Sequence, residues 1–110
     1  MPNGKKVLLV DDSKFTVKRL KEAVEKAGVE THMAYNGKEG FDAIANFKPD
    51  IIVTDLLMPE YDGFWLLGEI LKADIDVPCL VVSADIQESS YNRVMSSGAV
   101  AMFQKEKGSL

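Results

Sequence analysis

Ile51-Ile52-Val53-Thr54-Asp55-Leu56-Leu57-Met58-Pro59 is the stretch that decides the fold. An unbroken β-branched run without polar alternation describes a strand buried on both faces, as in a parallel sheet. It ends on Asp55. A second apolar run, Val7-Leu8-Leu9-Val10, ends the same way, on Asp11-Asp12. Ligands of open parallel sheets bind outside the carboxyl ends of the strands, so both strands deliver carboxylates to the edge where ligands sit. Charges of one sign gathered there disfavour joint ionisation. The arrangement makes sense where a cation or a reaction uses it.

Outward from these two runs, short apolar segments alternate with segments of helical period. Lys5–Val10 reads as a strand. Lys14–Ala27 reads as a helix with Val17, Leu20, Val24 and Ala27 on one stripe, and Gly28 suits the left-handed position past its end. Val29–Ala34 is a less apolar strand suited to an edge. Asn36-Gly37 turns the chain into a short helix carrying Phe41, Ile44 and Ala45, and Lys48-Pro49-Asp50 breaks it. Pro59 and Gly63 bracket a loop, after which Phe64, Leu67, Ile70 and Leu71 form the buried stripe of a helix ending near Ala73. The strand Cys79-Leu80-Val81-Val82 runs into Ser83-Ala84-Asp85. A polar helix from about Gln87 to Ser97, anchored by Tyr91, Val94 and Met95, stops at Gly98. Val100–Phe103 is a fifth strand, and Lys105 follows it.

Strand and helix in alternation imply an α/β fold: a doubly wound parallel sheet with right-handed crossovers and helices on both faces. The flavodoxin-like order 2-1-3-4-5 sets strands one, three and four side by side, so that Asp11, Asp12, Asp55 and Ser83 converge.

The 110 residues form one domain, spanning 1–110, and are enough to bury one core. A formal charge of -4, with basic residues spread along the chain, argues against direct nucleic-acid binding. No apolar stretch approaches the roughly 20 residues of a membrane span, and the run after Lys6 is short for a secretory signal. Cys79 is alone, which excludes a disulfide framework and favours a reducing, cytoplasmic setting. Cys79 reads as core, and His32, the single histidine, as solvated on the edge strand. Trp65 lies off its helix stripe, either as a partner contact or packed on Lys72 or Glu69.

Asp11, Asp12, Asp55, Ser83 and Lys105 stand with Met58-Pro59, Asp62-Gly63, Gly98-Ala99 and Phe103-Gln104-Lys105. Together they closely resemble the receiver domain of two-component response regulators of the chemotaxis-regulator kind, over nearly the whole chain. The strand order 2-1-3-4-5 comes with that resemblance. It implies that Asp55 accepts a phosphoryl group from the phosphohistidine of a sensor histidine kinase or phosphotransfer protein. It implies Mg²⁺, with Mn²⁺ as a substitute, on Asp12, Asp55 and the Leu57 backbone carbonyl, with Asp11 acting mainly through a water. Lys105 and Ser83 would meet the phosphoryl oxygens. Ser83 and Lys105 would then draw inward and repack the surface of the fourth helix and fifth strand. Such a domain catalyses its own phosphorylation and dephosphorylation and is a signalling switch, not a metabolic enzyme.

Several positions depart from the family pattern. Met102 stands where an aromatic switch residue is usual; methionine fills irregular gaps but offers no hydroxyl as a readout. Glu106 replaces the proline after the lysine, and a cis bond there would cost about 2.5–4 kcal/mol, so a trans bond or a different loop is expected. Leu57 and Asp85 flank the phosphoryl position. Only Glu106–Leu110 follow Lys105, too few for the fifth helix of the family. Part of one sheet face would then be bare: either the sequence is cut from a longer regulator, or a homodimer or a partner helix covers the face. Two rivals remain. An aspartyl-phosphate hydrolase of the haloacid-dehalogenase kind wants an acid where Leu57 stands. A pseudo-receiver would act as a phosphorylation-independent interaction module. Cognate kinase, output and acyl-phosphate lifetime are not written in the chain.

Overall fold

The structure is a computed structural model that describes residues 5–84 and 87–105. Five strands and four helices alternate along the described chain: β1 (Lys6–Val10), α1 (Lys14–Glu25), β2 (Glu30–Ala34), α2 (Gly37–Phe47), β3 (Ile51–Thr54), α3 (Gly63–Lys72), β4 (Cys79–Ser83), α4 (Glu88–Ser96) and β5 (Ala101–Gln104). The strands form one sheet in the order β2-β1-β3-β4-β5, and every neighbouring pair is parallel. The doubly wound order that came with the family resemblance is the one found.

Local chemistry sets where the helices begin. Ser13, Asn36 and Asp62 each occupy an N-cap, and their side chains accept from the backbone N–H of Thr16, Glu39 and Trp65. Each satisfies one of the orphan donors of a first turn. Glu39 reciprocates at the start of α2, accepting from the Tyr35 N–H at 2.9 Å. After α1, Gly28 takes a φ of 82°, the left-handed turn for which glycine carries no steric penalty.

Side chains of opposite parity on the strands fill two cores. Leu8, Val10, Ile52, Cys79 and Val81 pack with Ile44 of α2, Leu66, Leu67 and Ile70 of α3, and Val94 of α4. On the other face Val7 and Leu9 pack with Val17 of α1. Cys79 is core as expected, and burial pushes its thiol up to about 11, so it stays protonated at neutral pH. His32 is exposed on edge strand β2, its ring 5.3 Å from that of Phe47.

Several side chains lie otherwise than their period suggested. Leu71 is 61% exposed, while Leu66 is fully buried. With Asp62 as cap, the inward stripe of α3 is Gly63, Leu66, Leu67 and Ile70, and Leu71 falls one position around the helix from it. Tyr91 is likewise 48% exposed, which leaves Val94 as the buried anchor of α4. Ala45 points outward, and Ala43 packs instead. Helix α1 ends at Glu25, leaving Ala27 in the turn. Trp65 packs edge-on against Tyr61 and Phe41, whereas Lys72 and Glu69 pair with each other at 2.7 Å.

The α1 side of the sheet is unevenly covered. Helix α1 packs on β1 and β2. Over β4 and β5 no helix among the described residues sits on that side. Leu80 and Val82 are half-buried there and Phe103 is 54% exposed, while Val81, facing the other way, is wholly buried. The fifth helix is missing from the described residues, as the sequence led us to expect.

Candidate functional site

The sheet itself carries the acidic residues to one place. In the β1–β3 register Val10 lies opposite Thr54, so Asp11 and Asp55 each stand one residue beyond the paired ends. Their backbones are still held: Asp55 N donates to Val10 O at 2.9 Å, and Asp11 N to Ala34 O at 3.0 Å. The carboxylates of Asp11, Asp12 and Asp55 offer oxygens that lie within 4.8 Å of one another. Asp11 is buried, Asp55 half-buried and Asp12 exposed.

Lys105 closes the group from the far side of β4. Its backbone N–H donates to Ser83 O at 2.8 Å, extending the β4–β5 ladder by one step. Its Nζ then reaches Asp11 Oδ2 at 2.7 Å and Asp55 Oδ2 at 3.0 Å. The remaining oxygens are engaged as well: Asp11 Oδ1 accepts from Ser13 N at 2.9 Å, and Asp55 Oδ1 from Leu56 N at 2.7 Å. Ser83 is 1% exposed at the end of β4. Leu57 is 60% exposed beside the cluster. Met102 is half-buried against the main core, in register with Val81. Asp85 and Glu106 lie outside the described residues.

Two further residues have a part at the site that the sequence reading did not assign them. A Cβ on Gly63 would run into the Asp55 carbonyl oxygen and lie 2.9 Å from Leu56 Cα, so α3 starts directly on the backbone of Asp55. Gly63 N also donates to Leu56 O at 2.8 Å. Thr54 is buried, and its hydroxyl donates to Asp55 O at 2.8 Å. The Asp-Gly pair was a visible signal. Lys105 reaching Asp11 as well as Asp55 had none, because it depends on how two distant strand ends align.

Burial raises the pKa of Asp55, the charge on Asp11 raises it further, and the bonds from Lys105 and the Leu56 N–H oppose the rise. For Lys105, burial works downward, but hydrogen bonds to Asp11 and Asp55 outweigh it and hold the ammonium above its ordinary value. Three carboxylates against this one ammonium leave two negative charges in a cleft whose outer member, Asp12, is open to solvent. An all-oxygen donor set with that residual charge fits a hard divalent cation that keeps several of its waters.

Comparison with known proteins agrees with this geometry. The family profile of the response regulator receiver domain matches residues 7–109. The chemotaxis protein CheY of Thermotoga maritima is 38% identical over 97 residues, covering 87% of this chain and 81% of that protein. A protein-glutamate methylesterase/protein-glutamine glutaminase of Natronomonas pharaonis is 33% identical over 96% of this chain, which spans only 30% of that longer protein. Among solved structures, the CheX–CheY–BeF3–Mg²⁺ complex of Borrelia burgdorferi contains a chain that superposes with a TM-score of 0.88 at 30% identity. That match covers 93% of this chain and 78% of the other. The chain belongs to the response regulator receiver domain family. No helix among the described residues is long and apolar enough to cross a membrane.

Proposed function

We propose that residues 1–110 form a phosphoacceptor receiver domain in which Asp55 takes a phosphoryl group from the phosphohistidine of a sensor histidine kinase or phosphotransfer protein. The observation that carries this reading is the single ammonium of Lys105 bridging Asp11 and Asp55 beside an open Asp12. An Asp55 carboxylate oxygen attacks phosphorus, the phosphorus–nitrogen bond breaks, and the electron pair leaves on the imidazole nitrogen. The product is an acyl phosphate on Asp55. Such transfer rests mainly on positioning and charge neutralisation. Asp12, Asp55 and the Leu57 carbonyl would hold Mg²⁺, or Mn²⁺ in its place, with Asp11 acting through a water. Bound there, the ion supplies positive charge against the incoming phosphoryl oxygens. Lys105 swings its Nζ from Asp11 to a phosphoryl oxygen, and the Ser83 hydroxyl donates to another.

The output is conformational. Phosphorylation adds roughly -1.5 to -2 charge and strong acceptors, which draw Ser83 and Lys105 inward and repack α4 and β5, with Met102 filling the space from within. The setting is the cytoplasm. The Borrelia complex supports regulation through protein partners, since it pairs a similar chain with a second protein in the presence of BeF3 and Mg²⁺. A second copy or a partner helix would cover the α1-side face of β4 and β5.

Two measurements decide this reading. Incubation with Mg²⁺ and acetyl phosphate should add one phosphate by intact mass, lost in Asp55→Asn. No added phosphate would leave the pseudo-receiver as the better account. Mg²⁺ alone should raise the melting temperature, by a stability gain of about 2.7 kcal/mol at 100 times its dissociation constant. Asp12→Asn should remove most of that gain.

A further inference from the structure

Helix α4 is thinly attached to the rest of the molecule. Val94 is its one fully buried side chain, and Met95 is half-buried beside it. It is also the helix that directly follows Ser83 and its strand. A stacking contact ties it sideways to α3: the guanidinium carbon of Arg93 lies 3.8 Å from the ring centroid of Phe64. That is the closest of the cation–aromatic stacks among the described residues; those of Lys6, Lys14 and Arg19 span 5.4 to 5.6 Å. Phe64 is the second residue of α3, half-buried against the main core. It follows Gly63, which presses on the backbone of Asp55. The stack therefore joins the helix after Ser83 to the helix that starts on the phosphoacceptor.

We propose that Arg93 stacked on Phe64 is a latch that holds α4 against α3 in the unmodified protein and opens when α4 repositions. The holding half stands on the geometry alone; the opening half rests on the phosphoacceptor reading. Stacking of this kind at exposed sites corresponds to about a two- to fivefold change in an equilibrium. Because a ligand and a conformational step bias each other by the same factor, opening the latch should favour the phosphorylated arrangement by that factor.

The test is backbone hydrogen exchange on the whole chain without Mg²⁺. In Arg93→Ala the α4 amides should exchange about two- to fivefold faster, with α1, α2 and α3 unchanged. Alanine is the better helix former, so helix propensity acts in the opposite direction. Arg93→Lys, which keeps a cation near the ring, should recover part of the protection. In the Phe64→Leu background Arg93→Ala should add nothing. Unchanged α4 exchange in Arg93→Ala, or full additivity of the two changes, overturns the latch. A second arm measures beryllofluoride affinity with Mg²⁺: Arg93→Ala should bind about two- to fivefold more tightly than the natural chain. Equal affinities despite faster exchange would reject the opening half. If the natural chain takes up no beryllofluoride, the phosphoacceptor reading fails and the opening half with it, while exchange still decides whether Arg93 holds α4.

Discussion

Asp55 and Lys105 pull stability in opposite directions. The raised pKa of Asp55 means that the folded chain binds its proton more tightly than the unfolded chain does. Folding is then weakened as pH rises from the unfolded carboxylate value through the higher folded one. Asp55→Asn removes a desolvated charge and its repulsion with Asp11, so without Mg²⁺ it should raise the melting temperature at pH 7 and lose that advantage as Mg²⁺ is added. Lys105 has the opposite sign. Its pKa is raised above 10.5, so its contribution is complete below that pH and disappears as pH climbs through the higher folded value. Lys105→Met should destabilise the metal-free protein at neutral pH and flatten its alkaline unfolding transition. Urea titrations carried from acid to neutral pH would reveal the Asp55 effect, and titrations carried into the alkaline range the Lys105 effect. Neither is visible in the residue types alone: the rise at Asp55 comes from its burial in the fold, and that at Lys105 from meeting carboxylates 94 and 50 positions away.

At the level of elements, the strands could be read from short segments, mostly apolar, set between segments of helical period. The helices could be placed but not oriented to the last side chain. Period fixes an apolar stripe, but when four or five apolar residues crowd one helix, several stripes fit equally well. Phe64, Leu66, Leu67, Ile70 and Leu71 are such a case. The cap at Asp62 and the tight approach of Gly63 to Asp55 choose the stripe that buries Leu66 and frees Leu71. Leu66→Ala should therefore cost about 2–5 kcal/mol by denaturant unfolding. Leu71→Ala should stay within about 0.5 kcal/mol of the natural chain. Equal losses would mean that α3 is rotated from the arrangement described. Asp62→Ala should cost about 1 kcal/mol through loss of the cap.

The whole molecule is a sheet whose two sides have different histories. On one side α2, α3 and α4 seal the core; on the other, among the described residues, α1 packs over β1 and β2 and no helix lies over β4 and β5. Phe103, with half-buried Leu80 and Val82 near it, leaves an apolar surface over β4 and β5. Contiguous apolar patches on folded chains mark partner surfaces or sites of association. The 110-residue chain should bind an apolar fluorescent dye, and Phe103→Gln should lower that fluorescence while leaving stability within about 0.5 kcal/mol. A sedimentation profile that shifts from dimer to monomer on the same substitution would identify the cover as a second copy.

By itself the sequence determined the alternation of strand and helix, the carboxylates at strand ends, and the glycine and asparagine positions at Gly28, Asn36-Gly37 and Gly98 where helices stop or start. These are local consequences of side-chain shape, period and hydrogen-bonding capacity, so they are written residue by residue. Only the tertiary structure decided that Lys105 spans Asp11 and Asp55, that Leu66 and not Leu71 is core, and that Arg93 lies on Phe64. Each joins groups on separate elements, and which atoms meet follows from strand register and helix rotation, settled by packing all the elements at once.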